Sequence, residues 1–169
     1  SYPGQYDAYF NDHLAFKNPI VAFGKLADIH VFGEVTSDAV LMGKDGWMFY
    51  KLKGEMEDSI ADYQGTNHYS ADEMERFGAL LKQAEENLAS RGIKLVFYMV
   101  PNKEQVYSEF MPSSVKVVQE QSKADLLYEY LKENTDCDVY YPLDEFRKAK
   151  DDWCQIYRKY DTHWNDMGA

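Results

Sequence analysis

The order of elements predicts an α/β protein, a three-layer sandwich built on a mostly parallel sheet. Three observations carry that expectation. A helix opened by a capping box at Ser70 runs straight into the β-branched and aromatic run Ile93 to Val100, closed by Pro101. A second helix, from about Ser122 to Asn134, is followed in the same way by Asp138 to Tyr141, closed by Pro142. Helix followed at once by a short buried strand is the second half of a βαβ unit, and its repetition implies parallel pairing. Ahead of both lies a hairpin signal at residues 40–50.

Taken in order, Tyr6, Tyr9, Phe10, His13 and Leu14 fall on one helical stripe, and Pro19 breaks it. The runs Val40-Leu41-Met42 and Trp47-Met48-Phe49-Tyr50 flank Gly43-Lys44-Asp45-Gly46, whose Asp-Gly step favours the positive φ values of a tight turn. In the helix from Ser70, Glu73 completes the capping box, and Met74, Phe77, Leu80, Leu81, Ala84 and Leu88 form the inward stripe. Gly92 is placed to end it at C′. After Pro101-Asn102-Lys103 comes a loop containing Tyr107 and Pro112. In the helix that follows, Leu126, Leu127, Tyr130 and Leu131 face inward. Leu143 to Lys150 reads as a further helix and Gln155 to Arg158 as a last short strand.

Length and composition bound the function. The 169 residues suffice for one domain with a full core, residues 1–169, rather than two. A net charge of −11 without any basic block argues against nucleic acid and against anionic membrane surfaces as partners. The 14 tyrosines suit both strand packing and a carbohydrate-facing surface. No run is apolar and long enough to span a bilayer, and no signal segment is recognisable. The abrupt opening Ser1-Tyr2-Pro3-Gly4 and the helical turn at the other end read as an excised piece. Cys137 and Cys154 match no zinc or redox spacing; they pair in an oxidising compartment or stay thiols, and the sequence leaves both open.

The chemistry-bearing stretch is Tyr160-Asp161-Thr162-His163-Trp164-Asn165. A carboxylate that accepts the Nδ1 proton of a neutral histidine fixes its tautomer and leaves Nε2 free to take a proton from a nucleophile. Asp161 and His163 have the spacing for such a pair. They fit equally a surface turn in which Asp161 and Asn165 cap a helix. In open α/β sheets, active residues gather on loops at the carboxyl ends of strands, where Asn102, Lys103, Asp161 and His163 are all expected. Asn102 and Lys103 are candidate pocket residues beside a simple Pro-Asn-Lys turn. Trp164 either stacks on a sugar ring or packs against the sheet and holds the turn. His13, His30 and His68 read as packing residues. A metal site would need a further ligand beside Asp161 and His163, so neither metal nor cofactor is expected.

Three motifs in order, residues 40–50, Val100-Pro101-Asn102-Lys103 with Val106-Tyr107 and Met111-Pro112, and Tyr160 to Asn165 with Gly168-Ala169, resemble the SGNH-hydrolase-like proteins of the AlgX/AlgJ and DHHW type. Residues 9–17 resemble that family's entry helix. The resemblance covers nearly the whole chain. It implies an extracytoplasmic enzyme that moves acetyl groups onto or off polysaccharide hydroxyls through an acyl-enzyme, using a Ser-His-Asp triad. The acyl group would come from an acetyl-donor protein or a small acyl donor. Asp161 and His163 map onto the acid and base. The family's nucleophile lies later, in a Gly-x-Ser turn beyond a further strand, and Ser37, Ser59, Ser70, Ser90, Ser108, Ser113, Ser114 and Ser122 all lack that context. Residues 1–169 are therefore expected to hold the amino-terminal part of the domain, with little activity by themselves. The alternative is a non-catalytic carbohydrate-binding or structural module on the same fold.

Overall fold

Two short apolar runs joined by four turn residues are set to fold back on each other, and residues 40–50 do so. The computed structural model describes residues 39–169 apart from Leu52, Glu55, Met56 and Trp153; the expected stripe at Tyr6 to Leu14, the family-like stretch at 9–17, His13 and His30 lie outside the described residues. Strands β1 (Val40–Met42) and β2 (Met48–Tyr50) pair antiparallel, Leu41 opposite Phe49. Asp45 (φ 52°) and Gly46 (φ 73°) both take positive φ, and the Trp47 N–H donates to the Lys44 carbonyl at 3.0 Å. This is the turn that suits the twist of paired strands.

Helix α1 (Ser59–Gln64) was not expected from the periodicity. Asp58 caps it by accepting from the Ala61 N–H at 2.9 Å, and Gly65 ends it at φ 71°. Helix α2 (Ala71–Ala89) carries the capping box expected at Ser70 and Glu73. It closes with Ile93 N–H on the Leu88 carbonyl and Gly92 N–H on the Ala89 carbonyl, a Schellman arrangement with Gly92 at C′ and φ 70°. The short strand β3 (Val96–Tyr98) follows, then α3 (Lys103–Val106) and a 3-10 turn at Ser108–Phe110, where the sequence suggested only a loop. Helix α4 (Lys123–Asn134) has a second capping box, Ser122 with Asp125, and leads to β4 (Asp138–Tyr140). Helix α5 (Leu143–Asp152) completes the order.

The architecture is α/β, and β3 and β4 pair in parallel, Phe97 opposite Val139. Among the described residues the strands form two separate two-stranded sheets. Gln155 to Arg158 is not a strand: it makes a single antiparallel bridge, Tyr157 with Trp164, because its hydrogen bonds go to the nearby 163–165 segment. The run Ile93 to Val100 is likewise not buried on both sides. Phe97 faces α2 and α4, whereas Val96, Tyr98 and Val100 on the other face are exposed. Of the expected inward stripe of α2, Leu80 is 66% exposed and Ala84 is exposed as well.

Two cores result. One joins Leu81, Leu127, Leu131, Cys137 and Val139 between α2, α4 and the parallel pair. The other joins Trp47 and Phe49 of the hairpin with Val106, Tyr107, Met111, Phe146, Ile156 and Tyr157. Trp47 stacks on Tyr107 with ring centroids 4.3 Å apart. This second core carries the site.

Candidate active site

Residues 156–158 and 163–165 run back to back and leave 159–162 as a projecting tip. The Asn165 N–H donates to the Ile156 carbonyl at 2.8 Å, and the Asn165 side-chain amide to the Gln155 carbonyl at 2.6 Å. Asn165 also caps the final turn, its Oδ1 accepting from the Met167 N–H at 2.9 Å. The base of the tip is anchored in the core: the Tyr107 hydroxyl accepts from the Ile156 N–H at 2.9 Å, and the Tyr157 hydroxyl donates to the Pro101 carbonyl at 2.5 Å.

Asp161 sits on this tip and His163 where the chain leaves it. Asp161 Oδ1 lies 2.7 Å from His163 Nδ1 and accepts the His163 backbone N–H at 3.1 Å. The capping role that the sequence left open therefore belongs to Asn165, while Asp161 addresses the imidazole. These hydrogen bonds, the side-chain one first, hold the Asp161 carboxyl down at about 2, so it is ionised at neutral pH. Among the described residues nothing hydrogen-bonds His163 Nε2, and the side chain is 79% exposed. A carboxylate on Nδ1 with Nε2 open to solvent is an arrangement able to accept a proton from an incoming hydroxyl.

The tip is held by a residue whose partners are all backbone. Lys103 is buried, and its Nζ lies within hydrogen-bond reach of four carbonyls: Met48 and Arg158 at 2.7 Å, Asp161 at 2.9 Å and Lys159 at 3.1 Å. It also lies over the Trp47 ring, 5.1 Å from the centroid. Burial pulls its ammonium down to about 8, opposed by the charges of Glu104 and Asp161. Four carbonyl acceptors require the protonated amine, so Lys103 is charged at pH 7. Burial in turn raises the neighbouring Glu104 carboxyl to about 7.

Beside the tip is a cleft of about 390 Å³ lined by Asn102, Lys103, Glu104, Tyr50, Tyr69, Thr162 and others. The structure thus brings Lys103 against Asp161 and puts Asn102, exposed, on the cleft wall. Trp164 is half-buried against the second core, tilted on Phe146 at 6.5 Å, and is not part of the lining. Glu104, Tyr50 and Tyr69 gave no sequence signal for a site; only the adjacency of Glu104 to Lys103 pointed there. His68 contacts the Gln121 carbonyl at 3.2 Å, and Cys137 and Cys154 are free thiols. Among the described residues no three His, Cys, Asp or Glu side chains cluster as metal ligands, and no helix is long and apolar enough to cross a membrane.

Comparison of the chain with known proteins points to one family. Residues 40–169 match the model of the SGNH hydrolase-like domain of the acetyltransferase AlgX. Two curated relatives, each named probable alginate O-acetylase AlgJ, are 26% identical: that of Pseudomonas aeruginosa over 97% of this chain and that of Pseudomonas syringae pv. tomato over 96%. The chain spans 38% of the length of both. The solved O-acetyltransferase domain of Pseudomonas putida AlgJ superposes with a TM-score of 0.51 at 19% identity, over 77% of this chain and 42% of that one, a likeness of fold. With the family model covering most of its length, the chain belongs to the SGNH hydrolase-like AlgX/AlgJ family.

Proposed function

We propose that this chain carries the acid and base of an O-acetyl transfer site that modifies a polysaccharide outside the cytoplasm. The observation that carries the reading is the 2.7 Å contact of Asp161 Oδ1 with His163 Nδ1 on an anchored tip, with Nε2 open. Family membership and the names of the relatives, probable alginate O-acetylases, support the reaction class. In this scheme Nε2 takes the proton of a nucleophilic hydroxyl as its oxygen attacks an acetyl carbonyl. The proton then passes to the departing donor group, leaving the acetyl ester on the enzyme. A glycan hydroxyl gives its proton to Nε2 as it attacks that ester, the acetyl moves to the glycan, and the nucleophile recovers its proton. Water in place of the glycan makes the same site an acetylesterase. Asp161 keeps the Nδ1–H tautomer and stabilises the imidazolium. The acyl group comes from an acetyl-donor protein or a small acyl donor. Residues 1–169 form one unit of a single SGNH-hydrolase-like domain.

A second reading, a carbohydrate-binding module without chemistry, is favoured by one observation: among the described residues no serine hydroxyl is bonded to His163. The two are separated by expressing the reading frame that encodes this chain together with whatever follows Ala169, and following acetyl release from p-nitrophenyl acetate. Asp161→Asn and His163→Ala are each expected to lower turnover by roughly two to four orders of magnitude. Turnover indifferent to both substitutions would remove the catalytic reading.

A further inference from the structure

The cleft beside the tip has a lining whose charge is already spent. Its two lysines are both committed. Lys103 is bound to the four carbonyls that hold the tip. Lys123 Nζ lies 3.5 Å from Asp62 and 4.8 Å from the centroid of the Tyr69 ring. Against them stand three carboxyl side chains, Glu57, Asp62 and Glu104. A carboxylate entering this space meets no cation it can pair with unless it first breaks the Lys123 pair or the Lys103 knot, and it faces the field of a chain of net charge −11. Sugar hydroxyls meet the opposite situation. The exposed Glu57 carboxylate is able to accept hydrogen bonds from hydroxyls, and Tyr50, 42% exposed, supplies aromatic surface for the apolar side of a pyranose, whereas Asp62 Oδ1 already accepts from Asn67 and pairs with Lys123, which also covers the Tyr69 ring. A space of about 390 Å³ is within the range of clefts that hold small ligands, and Thr162 on its wall stands in the chain between Asp161 and His163, which themselves lie outside the lining.

We propose that this cleft binds an uncharged hexopyranose glycan as the acetyl acceptor, and that it discriminates against polyuronates, the class to which the alginate of the relatives' names belongs. The inference rests on the acetyl-transfer reading for the identity of the ligand as acceptor, whereas the selectivity itself is a property of the lining. The choice is enforced at Glu57, exposed at the cleft wall, and by the absence of an uncommitted cation among the described lining residues.

The test is calorimetric titration of the protein with neutral hexasaccharides (cellohexaose, mannohexaose and N-acetylchitohexaose), with mannuronate hexasaccharide and with chitosan hexasaccharide, at low and at physiological ionic strength. At least one neutral glycan is expected to bind with an affinity that salt leaves unchanged, to lose about tenfold in Tyr50→Ala, and to outbind mannuronate at least about tenfold. Glu57→Lys is expected to raise mannuronate affinity. Tighter binding of mannuronate than of every neutral glycan, binding of chitosan alone with strong salt dependence, or binding of none of the five would each overturn the proposal. Neutral-glycan binding that persists where Asp161→Asn leaves turnover untouched would retain the cleft and remove the catalytic reading. Turnover that needs Asp161 but acetylates only mannuronate would do the reverse.

Discussion

Glu104 is buried at the cleft wall with its carboxyl raised to about 7, chiefly because burial penalises the anion; Lys103 pulls the other way and Asp62 adds to the rise. The folded chain therefore binds this proton more tightly than the unfolded chain, where the carboxyl titrates near its ordinary value. Its contribution to stability is fully present below about pH 4 and is lost as pH rises through about 7, at most roughly 3 kcal/mol. Glu104→Gln retains the volume and removes the titration. Its urea midpoint should match wild type near about pH 4 and exceed it near about pH 8. An advantage of Gln that does not grow with pH would mean that the carboxyl is not held neutral by the fold. At this scale the sequence was informative where partners are close in the chain. Asp161 and His163 are two residues apart, and their contact needs only a local turn. Lys103 was legible only as a residue at a strand end, since its four acceptors are main-chain carbonyls, which every residue has and no side-chain pattern advertises.

Within the elements, glycine positions separate two kinds of constraint. Gly43, at the start of the hairpin turn, has an ordinary negative φ, but a Cβ there would lie 2.3 Å from the Phe110 carbonyl oxygen and 2.6 Å from the Phe49 ring. Gly92, at the end of α2, has φ 70° and open space around it. Gly43→Ala should thus cost roughly 2 to 3 kcal/mol through displaced packing. Gly92→Ala should cost only about 1 kcal/mol through backbone strain. Urea denaturation of both variants measures the contrast, and equal losses would contradict the assignment of a clash to Gly43. The turn at Asp45-Gly46 and the capping box at Ser70 were legible because their chemistry is local and residue-specific, whereas the box at Ser122, closed by Asp125 rather than Glu, was legible only as the start of a helix. Helix α1 was bracketed by the same kind of signals, Asp58 and Gly65, yet its six residues are too few for a periodicity to stand out. Gln155 to Arg158 has strand composition, but its neighbour is the returning tip rather than a sheet, a fact that depends on tertiary contacts.

Across the whole molecule, the two hydrophobic cores are stabilised by different means. The α2, α4 and parallel-pair core is apolar packing between elements with strong local signals, and it was anticipated in outline. The core beneath the site joins segments far apart in the chain, and polar groups tie it together: Lys103 to the hairpin and the tip, Tyr157 to Pro101, Arg147 to the Gln105 carbonyl at 3.1 Å. Removing the Lys103 ammonium leaves part-buried carbonyls from β2 and the tip short of a donor, a penalty of roughly 1 to 3 kcal/mol. Lys103→Met, similar in length and without a donor, should therefore weaken one core selectively. In hydrogen exchange, the Met48 amide, which donates to Lys159, and the Asn165 amide, which donates to Ile156, should lose protection, while the amides in the middle of α2 and α4 keep theirs up to the global limit. The Asp161 to His163 contact should loosen with the tip, so that acetyl release in the expressed reading frame falls although neither residue has been changed. Loss of protection spread evenly over α2, α4 and the tip would show instead that the two cores open as one unit, and Lys103 would then be a general stabiliser rather than the residue that positions the tip.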